Sequence, residues 1–191
     1  MDKSKVRFGL SEVHFGTFTV ANDGTVTLGT PMAVPGAVNL TLDPETAESI
    51  FYADNKKYYA KNQDNGYTGT LEMAKFPDTF LKAYMNYRAM TGGGTGQYKN
   101  LKNADVYMMF QVEGDVQARK TIMYNISLGQ ISASHATTED TIEPTTETLP
   151  ITVIGDNTTG LVKATYEKGD SSYDTLFTNP PIPAASSESE S

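Results

Sequence analysis

The sequence of 191 residues contains no cysteine and no tryptophan. The lack of cysteine excludes a disulfide framework, a thiolate metal ligand and a cysteine nucleophile. The lack of tryptophan removes the largest aromatic platform on which carbohydrate-binding proteins stack sugars. No apolar run approaches the roughly 18 residues that cross a bilayer, and the first ten residues lack the apolar part of a secretory signal. We therefore expect no membrane partner and synthesis in a cytoplasm.

Basic residues are also few. The chain has 15 Lys and Arg against 23 Asp and Glu, a net charge of −8, and its longest basic runs are the pairs Lys56-Lys57 and Arg119-Lys120. Affinity for nucleic acid grows with the number of phosphates that a protein neutralises. The charge balance therefore disfavours tight binding of DNA or RNA, although a neutral or acidic surface allows DNA to pass without being held.

The sequence contains no pattern typical of catalysis or of metal binding. The glycine run Gly92–Gly96 follows a predicted helix and lacks the Gly-Lys-Ser/Thr of a phosphate loop. His14 has no second ligand or base near it in the sequence, and His135 is expected to be an exposed residue of the polar stretch 132–148. The carboxylates of the Thr- and Glu-rich stretch 132–148 lack the spacing and the turn glycine of a calcium loop. The sequence thus predicts no enzyme, no cofactor and no metal site.

Alternation of apolar and polar residues, the period of a strand with one buried face, dominates the chain. It predicts strands over 6–10, 13–20, 25–28, 38–42, 50–53, 57–61, 67–74, 105–113, 121–128, 149–153 and 161–166. In two of these strands the expected inner faces are Val106, Met108, Phe110 and Val112, and Ile122, Tyr124, Ile126 and Leu128.

One segment, residues 77–89, has the 3.6-residue period of a helix. Its expected apolar stripe consists of Phe80, Leu81, Tyr84 and Met85, with Tyr87 or Arg88 one turn on. We expect a mainly β fold, an antiparallel β-sandwich or partly closed barrel with this one flanking helix and with one wet face on its sheets. A single domain over residues 1–182 would include a C-terminal strand and a possible arm from about residue 155, with a polar flexible tail at 183–191.

The segment Pro35–Phe80 has the densest set of turn signals. Its strand 38–42 is expected to break at Asp43-Pro44-Glu45-Thr46, because proline has no N–H to donate to a sheet. An aromatic hairpin is expected next, with its turn at Asp54-Asn55-Lys56. A second turn is expected at Asp64-Asn65-Gly66, since Asn-Gly favours tight hairpin turns.

Several strings occur together and in order along the chain: KVRFGLSEVHF, PGAVNLTLDP, IFYADNKKYY, NGYTGTLEMAKFPDTF, VYMMFQVEGD and EPTTETLPITV. In this combination the chain resembles the major tail tube proteins of long-tailed, non-contractile bacteriophages over most of its length. These strings are typical of a fold and not of a catalytic site, so the resemblance depends on their number and order. It implies a sandwich or partly closed barrel of tail-tube type.

The resemblance also implies a function. Such a protein is a structural subunit that self-assembles into stacked hexameric rings around a tape measure protein, in a virion tail assembled in the host cytoplasm. The tube would conduct DNA without binding it tightly and would meet tail terminator and baseplate proteins at its ends. Composition alone leaves open a β-sandwich adhesion or carbohydrate-binding module, given 11 Tyr and 8 Phe, and a hydrolase with an unrecognised site.

The segment expected to join one ring to the next is Asp43–Lys57. Four aromatic rings at positions 51–59 would need another surface if this hairpin leaves the core, and neighbouring charges would fix the register of a contact. The candidate contact residues are Asp43, Glu45, Glu48, Phe51, Tyr52, Asp54, Lys56 and Lys57. Two alternatives remain open: the hairpin belongs to the subunit's own sandwich, or the glycine-rich loop Gly92–Lys102 forms the contact.

Overall fold

The computed structural model describes residues 9–53, 56–99, 102–113, 117–133 and 145–184. Within these ranges, strands and one short helix form a mainly antiparallel β fold. The strands are β1 (Leu10–Val20), β2 (Val26–Leu28), β3 (Met32–Ala33), β4 (Ala37–Ala53), β5 (Lys56–Met73), β6 (Arg88–Ala89), β7 (Thr95–Gly96), β8 (Val106–Val112), β9 (Lys120–Leu128), β10 (Ser132–Ala133), β11 (Glu147–Val153) and β12 (Lys163–Tyr166), and the helix is α1 (Asp78–Tyr84). The predicted fold class, mainly antiparallel β with one helix, is confirmed.

One sheet contains all of these strands except β6 and β7, which form a small separate hairpin. Its order is β2-β1-β8-β9-β11-β5-β4, with β3 beside β1, β10 beside β11 and β12 beside β9. The four residue steps from Ala33 in β3 to Ala37 in β4 span at most about 14 Å. In a flat sheet, six strand spacings would separate those strands by about 29 Å. The sheet is therefore curled, although it does not close into a barrel within the described residues.

The inner face of the curled sheet holds the main hydrophobic core, and α1 packs against it. The rings of Phe80 and Tyr84 lie 5.1 Å and 6.4 Å from the ring of Phe15, and the Tyr84 hydroxyl donates a hydrogen bond to the Phe15 carbonyl at 3.0 Å. The sheet contributes, among others, Val13, Leu71, Met73, Val106, Met108, Met123, Ile126, Leu149, Ile151 and Val153. Because each buried large side chain contributes about 1.5–3 kcal/mol, this core fixes the helix on the sheet.

The helix is shorter than the predicted range 77–89. It begins after Pro77 and ends at Tyr84. Asn86 has a φ of +55°, a left-handed conformation that stops a helix and that asparagine tolerates. The expected apolar stripe is confirmed, since three of its four members are buried and the fourth is partly buried.

A second core lies on the outer face of β1, β8 and β9. Tyr107 of β8 and Tyr124 of β9 are 0% and 1% exposed there, under the chain between Leu161 and Phe177. The Tyr124 hydroxyl also donates a hydrogen bond to the carbonyl of Pro181 at 2.9 Å. The expectation of a wet face is therefore wrong for these strands, because the C-terminal part of the chain covers it.

A β-bulge at Tyr124 and Asn125 places one extra residue of β9 opposite Tyr107. Asn125 adopts a φ of +50° at this point. The bulge shifts the alternation of β9 by one residue. Ile122 and Tyr124 therefore belong to the outer core, whereas Ile126 and Leu128 belong to the inner core. The prediction that all four positions share one face is wrong for this reason, whereas the predicted face of β8 is confirmed.

The predicted break at 43–46 and the predicted turn at 64–66 are also wrong. β4 runs through the first segment and β5 runs through the second. β4 is an edge strand, where a proline such as Pro44 is tolerated because no further strand needs its N–H. Asn65 and Gly66 form a β-bulge opposite Glu45 instead of a turn. The aromatic hairpin is confirmed by its strand pairing, while Asp54 and Asn55 of its turn lie outside the described residues.

Substitution of Phe80 tests the inner core. Phe80 is fully buried between Phe15, Phe76 and Tyr84, so Phe80→Ala leaves a cavity and should lower the free energy of unfolding by about 3–5 kcal/mol. Tyr98→Ala, at a side chain that is 48% exposed, is the control and should cost less than about 1 kcal/mol. Urea unfolding measures both values, and equal losses would contradict the assigned core.

Candidate functional site, a β-ribbon at one end of the sheet

β4 and β5 form a long antiparallel hairpin that is part sheet and part isolated ribbon. The two strands pair along their whole lengths, but β11 accompanies β5 only over Tyr67–Met73. From Tyr67 toward the tip of the hairpin, no other strand of the described residues pairs with β4 or β5. We call residues 45–53 and 56–65 the ribbon. Nine residues of strand give it a length of about 27 Å.

The ribbon leaves the sheet at the bulge of Asn65 and Gly66. Gly66 has a φ of +100°, a conformation that residues with a side chain strongly disfavour. A Cβ atom at this position would lie 2.0 Å from the carbonyl oxygen of Val153, the last residue of β11. Only glycine fits this close backbone approach. Since bulges bend and twist a strand, the hairpin changes direction where β11 ends.

An isolated two-stranded ribbon is marginally stable in water, because it has no third strand and no core to cover one face. No third strand of the described residues covers its outer edges, and the unpaired N–H and C=O groups of a strand edge are templates for pairing with another chain. The arrangement is therefore suited to association with a second surface.

The predicted contact residues fall on this hairpin. Asp43 and Glu45 are exposed at the base of the ribbon. The backbone register places Glu48 opposite Asn62, Phe51 opposite Tyr59, Tyr52 opposite Lys57, and Lys56 opposite Ala53. Asp54 lies outside the described residues. The structure thus brings the described candidates into one hairpin, and their role in a contact stays a prediction.

The glycine-rich segment, the rival candidate, lies at the opposite end of the curled sheet. α1 and this segment connect the carboxyl end of β5 to the amino end of β8, whereas the ribbon lies at the amino end of β5. Each neighbouring pair in the order β5-β11-β9-β8 is antiparallel. The carboxyl end of β5 and the amino end of β8 therefore lie at the same end of the sheet. The amide of Ala104 donates a hydrogen bond to the Tyr84 carbonyl at 2.9 Å, which joins the start and the end of the connection between α1 and β8. Inside it, β6 and β7 pair around Gly92–Gly94.

His14, a residue of β1, has two structural contacts. Its ring stacks on Phe177 with centroids 4.7 Å apart, and its Nδ1 lies 2.8 Å from the carbonyl oxygen of Glu12. In the part of the chain that the structure describes, no three His, Cys, Asp or Glu side chains are placed to hold a metal ion. His135 and residues 185–191 of the predicted tail lie outside that part. No helix in it is long and apolar enough to cross a membrane.

Asp156 is a buried carboxylate, 2% exposed, in the loop after β11. Its Oδ2 accepts hydrogen bonds from the amide and the hydroxyl of Thr159 at 2.8 Å and 2.5 Å. Burial raises the pKa of Asp156, but the hydrogen bonds from Thr159 and Thr158 outweigh it and lower the pKa below its usual value. Because these partners belong to the same loop, the Oδ2 of Asp156 fixes the turn.

Substitution of Gly66 tests the junction between sheet and ribbon. Gly66→Ala forces a side chain into a φ of +100° and against the Val153 carbonyl, so it should lower the free energy of unfolding by about 2–4 kcal/mol. Gly93→Ala is the matched control, since Gly93 has a φ of +98° but nothing within 4 Å of its Cβ position, and should cost about 1–2 kcal/mol. Urea unfolding measures the loss of unfolding free energy for each variant. Equal losses for Gly66→Ala and Gly93→Ala would contradict the contact between position 66 and the Val153 carbonyl.

The chain is similar to the tube terminating cap of the anti-feeding prophage, determined by cryo-EM, with a TM-score of 0.46 and 12% sequence identity. The similarity covers 87% of this chain and 96% of that chain. No protein-family profile and no curated protein sequence matches the chain. A likeness of this size does not assign the chain to a family or a function.

Proposed function

We propose that the protein is the subunit of a phage tail tube and assembles into stacked hexameric rings. Two observations support this proposal: the resemblance of its sequence strings to major tail tube proteins, and the ribbon. The ribbon carries most of the argument, because a pair of strands about 27 Å long that no other strand of the described residues accompanies is marginally stable alone and gains from a second surface. A second copy of the chain supplies that surface in the proposed tube.

Ring formation requires a head-to-tail interface, in which two different surfaces of the subunit meet. The curled sheet offers such a pair, since one of its edges is formed by β4 and the other by β2 and β3. Joining these edges between neighbours would pair backbone groups that the open sheet leaves exposed. Closure with six copies is the number that the sequence resemblance implies.

In this proposal the ribbon joins one ring to the next. It lies at one end of the sheet, and α1 with the glycine-rich segment lies at the other. A ribbon directed along the tube axis would therefore meet the far end of a subunit in the neighbouring ring. The aromatic residues of Asp43–Lys57 would supply apolar contact area, and the charged residues of the same segment would fix its register.

The tube would surround a tape measure protein and later conduct DNA, with terminator and baseplate proteins at its ends. Its place would be the virion tail, after assembly in the host cytoplasm. A channel for DNA must not hold the DNA, so the proposal includes a neutral or acidic lining, because each Lys or Arg there would add a phosphate contact. This role requires no catalysis, cofactor or metal.

Electron microscopy of the purified protein, together with a shortened ribbon, tests the proposal. Wild-type protein should form rings or hollow tubes. The matched variant lacks residues 46–49 and their register partners 61–64, so its hairpin keeps the pairing and alternation and is four residue pairs shorter. Since the core does not change, we expect a folded subunit with normal urea unfolding that forms no tubes.

Reversal of charge in the ribbon is a second variant that keeps its length. Lys56→Glu with Lys57→Glu should raise the protein concentration needed for tubes at least about tenfold, because it changes the charges that fix the register of the contact in this proposal. Wild-type protein that stays monomeric at every concentration, even with tube seeds, would contradict the proposed function. Tubes of normal length from the shortened variant would show that rings stack through another surface.

A further inference from the structure

Charge is strongly segregated along the chain. Residues 75–102 contain five Lys or Arg and a single acidic residue, Asp78, which gives this stretch a net charge of +4 in a chain of −8. Residues 8–55 contain six acidic residues and no Lys or Arg. One subunit therefore carries two regions of opposite charge.

The basic region is exposed at one end of the sheet. Its side chains, which we call the basic surface, are Lys75, Lys82, Arg88, Lys99 and Lys102, and all are exposed. Lys102 pairs with Asp105 at 2.8 Å, and Arg88 lies 5.6 Å from the centre of the Tyr98 ring. Among the described residues, the three remaining lysines have no carboxylate within ion-pair distance. Within the part of the chain that the structure describes, the basic surface is therefore largely unpaired with carboxylates.

The acidic region includes exposed carboxylates at the opposite end of the sheet. Asp43 and Glu45 are exposed on β4 at the base of the ribbon, and neither forms an ion pair within the described residues. Asp43 lies opposite Thr68, and the five residue steps from there to Met73 at the far end of β5 cover about 17 Å. These carboxylates and the basic surface therefore do not compensate each other within one subunit.

We infer that the basic surface of one subunit receives Asp43 and Glu45, at the ribbon base of a second copy of the chain. The inference rests on the proposed tube and specifies which surfaces of neighbouring rings meet. Opposite charges at a head-to-tail contact speed encounter and fix register, whereas two like ends repel each other. Nucleic acid is the other polyanion that a basic surface attracts, but five cations on a chain of net charge −8 give weak phosphate binding.

A charge swap between two variants tests the inference. Lys82→Glu/Lys99→Glu lowers the net charge of residues 75–102 from +4 to 0 and places two carboxylates in the basic surface, and Asp43→Lys/Glu45→Lys makes the ribbon base basic. Each variant alone should need at least about tenfold more protein to form tubes, because like charges meet at the contact. An equimolar mixture restores opposite charges and should form tubes near the wild-type concentration. Lys168→Glu, at an exposed lysine outside the basic surface, controls for net charge and should assemble like wild type.

Sedimentation measures assembly, and thermal unfolding by circular dichroism confirms that each variant is folded. Normal tubes from Lys82→Glu/Lys99→Glu, or a mixture no better than its components, overturn the inference and leave the tube function intact. A gel shift is the third measurement. If Lys82→Glu/Lys99→Glu alone loses DNA binding and still assembles normally, the basic surface binds nucleic acid and the inference is overturned. Wild-type protein without tubes overturns the tube function itself, and the inference with it.

Discussion

The close approach of Gly66 to the carbonyl of Val153 divides the molecule into two parts with different stabilities. On one side of this contact, β5 lies between β4 and β11, and its side chains belong to the inner core. On the other side, β4 and β5 continue alone as the ribbon. The same hairpin thus has a proximal half that β11 accompanies and a distal half that no third strand of the described residues accompanies, and this difference is the basis for the proposed assembly.

The remainder of the subunit is well supported without a partner. The sheet is covered on its inner face by α1 and on part of its outer face by the C-terminal chain, where Lys120 donates a hydrogen bond to the Tyr173 carbonyl and the Tyr173 hydroxyl donates one to Ala118. These long-range contacts fix the C-terminal chain on the subunit's own β9. Since both cores are internal, the proposed assembly need not complete the fold, and in that proposal the ribbon and the charged ends determine how copies meet.

Local sequence patterns predict the strands and the helical stripe because periodicity reports which side of an element is buried. They do not predict the outer core, since the pattern of β8 and β9 cannot show that residues 161–177 return to cover them. They also misplace features at bulges, because Asn65-Gly66 and Asn125 suit both turns and bulges. Pro44 would break a strand that has neighbours on both sides. Whether β4 is such a strand depends on the order of strands in the whole sheet, which the local sequence does not show. The candidate hairpin is predictable from its aromatic and charged residues, whereas its isolation depends on where β11 ends.

Hydrogen exchange of the free subunit and of the assembled protein tests the central claim most directly, because amide protection reports local stability. The account predicts that ribbon amides exchange rapidly in the free subunit and become protected on assembly, while the amides of β8 and β9 are protected in both states. Ribbon amides that are as protected as β8 in the free subunit, or that stay unprotected in assembled protein, would contradict the assignment of the ribbon as the contact between copies.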